Sequence, residues 1–185
     1  MVGTHALFAY ESACGVRFMD AATTTQDIDL LIDTQKHLLL ASTLQGQSES
    51  LLSTLQKVDP TFDLRDDQQY TAVNASGFEV DVIRRVAKNH DPHPLKATTA
   101  ERDFWVVQVA NGAQMASAER FSQMVVAASG HMALMTTLDP AVFSRLKQAL
   151  ALSPTRDPLK KSRDALQARA VGELVDEIMP HMRKP

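Results

Sequence analysis

Apolar residues recur along this chain at two spacings, one helical and one alternating, and the switches between them mark the elements. Ala6, Leu7, Tyr10 and Cys14 follow helical intervals, with Gly3-Thr4 at the entry and Gly15 just past the end, so a short helix is predicted over residues 3–14. With two residues ahead of Gly3, its first turn is open to fraying. Residues 16–19 read as a brief strand, and a polar link over 23–26 leads into a β-branched run through Ile32, with which that strand is expected to pair. A Gly/Gln/Ser segment at 45–50 precedes Leu51, Leu52, Leu55 and Val58, an amphipathic helix closed by Pro60.

Strand-like runs follow at 62–65, 70–74 and 78–83, the last two joined by the turn Ala75-Ser76-Gly77. In the third run Phe78, Val80 and Val82 face one way, while Glu79, Asp81 and Ile83 face the other. Residues 84–102 form a polar, basic loop around His90-Asp91-Pro92-His93-Pro94, and 104–110 resume as an apolar strand. A hairpin about Ser129-Gly130 is predicted from 121–128 and 131–136. Asp139-Pro140 then opens a helix through Leu150. Asp157-Pro158 begins a long amphipathic helix to about Met179, with Leu159, Ala165, Leu166, Ala168, Ala170, Leu174, Val175 and Ile178 as its buried positions.

Composition narrows the class without naming a function. At 185 residues, the chain can bury one domain core with a small helical appendage. A formal charge of −3 excludes a surface dominated by non-specific attraction to nucleic acid. No apolar run reaches the roughly 18–20 residues of a membrane span, and no signal-peptide pattern opens the chain, so a cytoplasmic protein without membrane partner is expected. The single cysteine, Cys14, excludes an internal disulfide and is expected to be a small core residue.

Against this ordinary background Asp27-Ile28-Asp29 stands out, because two carboxylates interrupt a run that otherwise reads as a buried strand. Alternation places Asp27 and Asp29 on one face and Ile28, Leu30 and Ile32 on the other. Like charges about 5 Å apart repel by a few kcal/mol at an effective dielectric near 20. A divalent cation would remove that cost. Asp81, on a later strand flanked by valines, is a third carboxylate able to join them.

Gly3-Thr4 opening a helix, Asp27-Ile28-Asp29 on a strand and Asp81 on a later strand together resemble the nucleotidyltransferases of the DNA polymerase β superfamily. The wording Gly3-Thr4-x-Ala6-Leu7 with Thr25-x-Asp27-Ile28-Asp29-Leu30-Leu31 is most similar to a bacterial nucleotidyltransferase-like branch related to abortive-infection and toxin enzymes. Thr136-Thr137-Leu138-Asp139-Pro140, Lys147 and the segment from Arg156 to Ala168 resemble that branch's C-terminal region. The resemblance implies an α/β (α+β) fold, with a mixed-sheet catalytic core over 1–138 and a helical region over 139–185.

It also implies a reaction: transfer of a nucleoside monophosphate from a triphosphate, ATP among the candidates, to a hydroxyl, with release of pyrophosphate. Asp27, Asp29 and Asp81 would hold two Mg2+ ions, or Mn2+ in their place, and Asp81 would take the acceptor's proton. Gly3 and Thr4 would meet phosphate at the helix start, and Lys160 and Arg163, on one helical face with Gln167, would meet triphosphate oxygens. RNA, a protein hydroxyl and a small molecule are open as acceptors, and an antitoxin-like partner follows by analogy alone.

Blander readings stand beside these. A lone Asp-x-Asp is usually a solvent-exposed strand edge, and Gly3-Thr4 is also an ordinary helix start. Lys160, Lys161 and Arg163 also fit a solvated helix face, Asp164 a simple ion pair, and Arg84 and Arg85 either phosphate steering or loop solubility. His90 and His93 lack a matching ligand pair, and Phe104 and Trp105 fit a core strand. A catalytically silent nucleotide- or partner-binding module and a metal-dependent phosphoesterase are the alternative functions.

Overall fold

The computed structural model describes residues 1–32 and 49–180; part of the polar segment at 45–50 lies outside the described residues. In chain order the described elements are α1 (Ala6–Cys14), α2 (Asp20–Thr23), β1 (Asp27–Leu31), α3 (Leu51–Val58), β2 (Asp63–Leu64), β3 (Thr71–Val73), β4 (Glu79–Arg85), β5 (Val107–Val109), α4 (Gly112–Ser117), β6 (Arg120–Val126), β7 (Met132–Leu138), α5 (Pro140–Leu152) and α6 (Pro158–Glu177). This is the expected α+β fold with a mixed sheet. The chain divides into two compact units, residues 26–117 and residues 1–25 with 118–185. No described helix is long and apolar enough to cross a membrane.

Residues 26–117 build a five-stranded sheet in the order β1-β4-β3-β2, with β5 paired to the end of β4. The β1–β4 and β4–β5 pairs are parallel, and β2–β3 and β3–β4 are antiparallel. One face carries the core: Val80, Val82 and Ala72 are buried with Leu52, Phe62, Phe104 and Val106, and Leu30, Ile32 and Phe78 pack against them. Each large aliphatic side chain buried there contributes about 1.5–3 kcal/mol. The alternation of Val80 and Val82 with acidic residues is therefore what sets this face inward and leaves the carboxylates on the other.

Helix α3 starts at Ser50, whose hydroxyl accepts the Ser53 amide at 2.8 Å. Buried Asp103 adds a second cap from far along the chain, accepting the Leu51 and Leu52 amides, each at 3.1 Å. The strand expected over 104–110 contracts to β5, with Phe104 fully buried and Trp105 partly exposed beneath Lys96. The basic loop is organised by ion pairs and by Arg84, which neither steers phosphate nor serves solubility. Its side chain lies on the core face, fully buried, donating to the Pro92 carbonyl at 2.8 Å and standing 2.9 Å from His93 Nδ1. Burial pushes its pKa down, against the nearby charge of Asp91.

In the other unit α1 packs on the β6–β7 hairpin. Tyr10 donates to the Leu138 carbonyl at 2.8 Å, and its ring meets Phe121 and Phe143. Burial pushes the Tyr10 pKa up, far from any ionised form at neutral pH. The strand expected at 16–19 does not form, because the Phe18 amide donates at 2.7 Å to the Glu11 carboxylate instead of to a ladder. Ahead of α1, Val2 and Thr4 are buried, and the Met1 ammonium donates to the Thr136 carbonyl at 2.9 Å. Cys14 is half-buried rather than in the core.

Asp139 and Asp157 cap α5 and α6, accepting the Val142 and Leu159 amides, with Pro140 and Pro158 in the first turns. The buried stripe of α6 differs from the expected one. Leu159, Ala165 and Ile178 are exposed, whereas Asp164 and Gln167 are fully buried beside Ala168, Val171, Leu174 and Val175. Polar side chains occupy core positions because partners await them: Lys147 and Arg156 each bond the Asp164 carboxylate at 2.8 Å. Asp164 is thus the ion-pair partner of neighbouring bases, and Lys147 is a buried structural cation.

Candidate active site

The acidic face of the sheet follows from strand register. In the parallel β1–β4 pair Asp27 stands opposite Glu79 and Asp29 opposite Asp81. Register partners in a parallel pair project to the same side, and neighbouring strands lie about 4.8 Å apart. Asp27, Asp29, Glu79 and Asp81 therefore form a patch of four carboxylates on the face away from the apolar core. All four are partly buried.

The third strand adds hydrogen-bond donors. Thr71 on β3 is the register partner of Asp81, and its buried hydroxyl donates to Asp81 Oδ1 at 2.5 Å. Arg65, just past β2, donates through Nη1 to Glu79 Oε1 at 3.1 Å, while its Nε and Nη2 grip Asp67 at 3.2 and 3.1 Å. Hydrogen bonds and charge from Asp67, with a smaller share from Glu79, push the Arg65 pKa up. One carboxylate of the patch is thus balanced by a fixed cation.

Hard carboxylate oxygens on adjacent strands are the donor type that Mg2+ and Mn2+ take. Among the described residues no group of three His, Cys, Asp or Glu side chains is already arranged to hold a metal ion. The fit to a cation rests on donor type and register. Facing carboxylates at β-strand spacing carry repulsion that a cation, or a cationic side chain such as Arg65, relieves.

The expected phosphate-binding residues belong to the unit formed by residues 1–25 and 118–185. Gly3 has φ 79°, a conformation glycine adopts readily, and the first turn closes with the Ala6 and Leu7 amides donating to the Gly3 and Thr4 carbonyls at 3.1 Å. The Thr4 hydroxyl accepts from Gln167 Nε2 at 3.1 Å, and the same amide nitrogen donates to the Ala22 carbonyl at 2.7 Å. Arg163 Nη1 donates to the Thr24 carbonyl at 3.3 Å. Thr4, Arg163 and Gln167 are thereby gathered around residues 22–24, whereas Lys160, a turn earlier on α6, is exposed.

Three neighbours of the aspartates carry weaker signals in sequence. Glu79 repeats the Asp27-x-Asp29 spacing as Glu79-x-Asp81, which makes it readable. Thr71 and Arg65 become visible only through the register of β3 and the ion pair to Glu79.

A sequence model of a nucleotidyltransferase family matches residues 1–183. No curated protein and no solved structure matches the chain.

Proposed function

The chain belongs to the nucleotidyltransferase family, and from that premise we propose a metal-dependent enzyme that moves a nucleoside monophosphate from a triphosphate onto a hydroxyl, releasing pyrophosphate. The observation that carries the reading is the register of Asp29 against Asp81, with Asp27 on the same face. Asp27, Asp29 and Asp81 are the residues that would hold two divalent cations. Magnesium or manganese, when bound there, would supply Lewis acidity to the reacting oxygens.

The protein's own groups do the rest. Asp81 accepts the proton of the acceptor hydroxyl as its oxygen bonds the α-phosphorus; the bond to the β-phosphate breaks, and pyrophosphate leaves with the electron pair. Gly3 and Thr4 receive phosphate at the start of α1, and Lys160 and Arg163 donate to the triphosphate oxygens. The acceptor belongs to the class of RNA ends, protein hydroxyls or small-molecule alcohols. The bacterial branch related to abortive-infection and toxin enzymes, with an antitoxin-like partner, is the setting we infer from the motif wording.

The test is incubation of the full chain with each labelled triphosphate, Mg2+ and total cellular RNA or protein. Label should move to one fraction with stoichiometric pyrophosphate, and Asp29→Asn should abolish both signals. Pyrophosphate or phosphate release with no labelled acceptor would identify hydrolysis instead. Metal-dependent binding without turnover on any acceptor would identify a silent module.

A further inference from the structure

Thr71 is an unusual residue for its place. It is 1 % exposed in a short inner strand, where an apolar β-branched side chain is the default, so its hydroxyl needs a partner. That partner is the carboxylate of Asp81, its register neighbour on β4, at 2.5 Å. The threonine backbone is pinned on both sides, its amide donating to the Gln68 carbonyl at 2.8 Å and its carbonyl accepting the Arg65 amide at 3.0 Å. A β-branched side chain on so fixed a backbone has few rotamers, so the hydroxyl position is set before any ligand arrives.

We propose that Thr71 is the positioning residue of the carboxylate site, holding the Asp81 side chain in the orientation that a divalent cation requires. This rests on the metal-dependent reading of Asp27, Asp29 and Asp81. A carboxylate on a strand can rotate about two bonds, and a cation binding it must freeze that motion. Thr71 freezes it in advance. Thr71 itself touches no substrate.

The experiment is a calorimetric titration of MnCl2 into the full-length protein, run on wild type, Thr71→Val, Thr71→Ser and Asp29→Asn, with thermal unfolding of each. Thr71→Val keeps the shape and removes the donor, and Mn2+ affinity should fall about tenfold. Thr71→Ser keeps the donor and should recover binding to within about twofold, which a purely structural role would not produce. Unaltered affinity in Thr71→Val, alongside loss in Asp29→Asn, overturns the positioning role while the metal reading stands. A serine variant as weak as the valine variant also overturns it. No Mn2+ binding by wild type, or unchanged binding by Asp29→Asn, overturns the metal reading and this inference together. Should Thr71→Val fail to fold, Thr71→Ala takes its place with the same expected loss.

Discussion

Gln167 and Thr4, 163 positions apart, are joined by a buried hydrogen bond of 3.1 Å from the glutamine amide to the threonine hydroxyl. The same nitrogen reaches the Ala22 carbonyl, so one side chain of α6 fixes both the entry of α1 and the end of α2. The glutamine that helical spacing would aim at triphosphate oxygens is instead turned inward, as scaffold for the candidate phosphate loop.

Replacing it tests that role. Gln167→Met should leave the Thr4 hydroxyl and the Ala22 carbonyl without their buried donor and lower stability by about 1–3 kcal/mol in urea unfolding. Titration with a nucleoside triphosphate should also weaken, because the Gly3-Thr4 turn loses its anchor. A variant within about 0.5 kcal/mol of wild type, as for an ordinary surface change, would show that the bond does not hold the entry.

The ion pairs of Asp164 predict an acid limit to stability. Burial alone would push this carboxyl up, but the hydrogen bonds and charges of Lys147 and then Arg156 outweigh it and hold the group below the usual carboxylate range. A folded pKa below the unfolded value of about 3.9 contributes stability that is fully present above that value, and loses it as pH falls through the folded pKa. Lys147→Met removes one partner of a fully buried charge and should cost about 3 kcal/mol at pH 7. Urea unfolding of both proteins from pH 7 down to pH 2 should show the gap shrinking below about pH 4. A gap that is constant across that range would assign the loss to packing. The double variant Lys147→Met/Asp164→Leu should recover most of the stability, since no fully buried charge is left unpaired and Arg156, which loses its carboxylate partner, is partly exposed and can reach water.

How much of this was legible in the chain differs by residue. The Asp27 strand, the Val80 and Val82 face, the hairpin about Ser129-Gly130 and the capped starts at Asp139 and Asp157 are readable because local chemistry alone determines them: side-chain period, turn residues and caps. Arg84, Asp164 and Gln167 are not, because a polar residue inside becomes tolerable only through partners distant in sequence. Residues 16–19 mislead for a similar reason, as a side-chain acceptor on Glu11 takes the amide that a strand partner would need. At the candidate site the aspartates are legible from spacing, whereas Thr71 depends on a register that no single segment encodes.

Helix α4 carries no clear pattern in sequence, yet one of its residues governs the strand that bears Asp81. A methyl group built on Gly112 would stand 2.4 Å from Arg85 Cα and 2.7 Å from both the Arg84 carbonyl oxygen and the Arg85 amide nitrogen. These are backbone atoms of β4, which cannot swing aside as a flexible side chain can. Gly112→Ala must therefore displace either α4 or the end of β4, and overpacking of this kind costs about 1–3 kcal/mol. Because β4 holds Asp81 in register with Asp29, the displacement should reach the carboxylate face. The expected outcome is a folded but less stable protein whose Mn2+ affinity is lower than wild type. Ala113→Ser, one residue on and exposed, should change stability by no more than about 0.5 kcal/mol and leave Mn2+ affinity as it is. If Gly112→Ala matches that control in both measurements, the close approach of α4 does not set the position of β4.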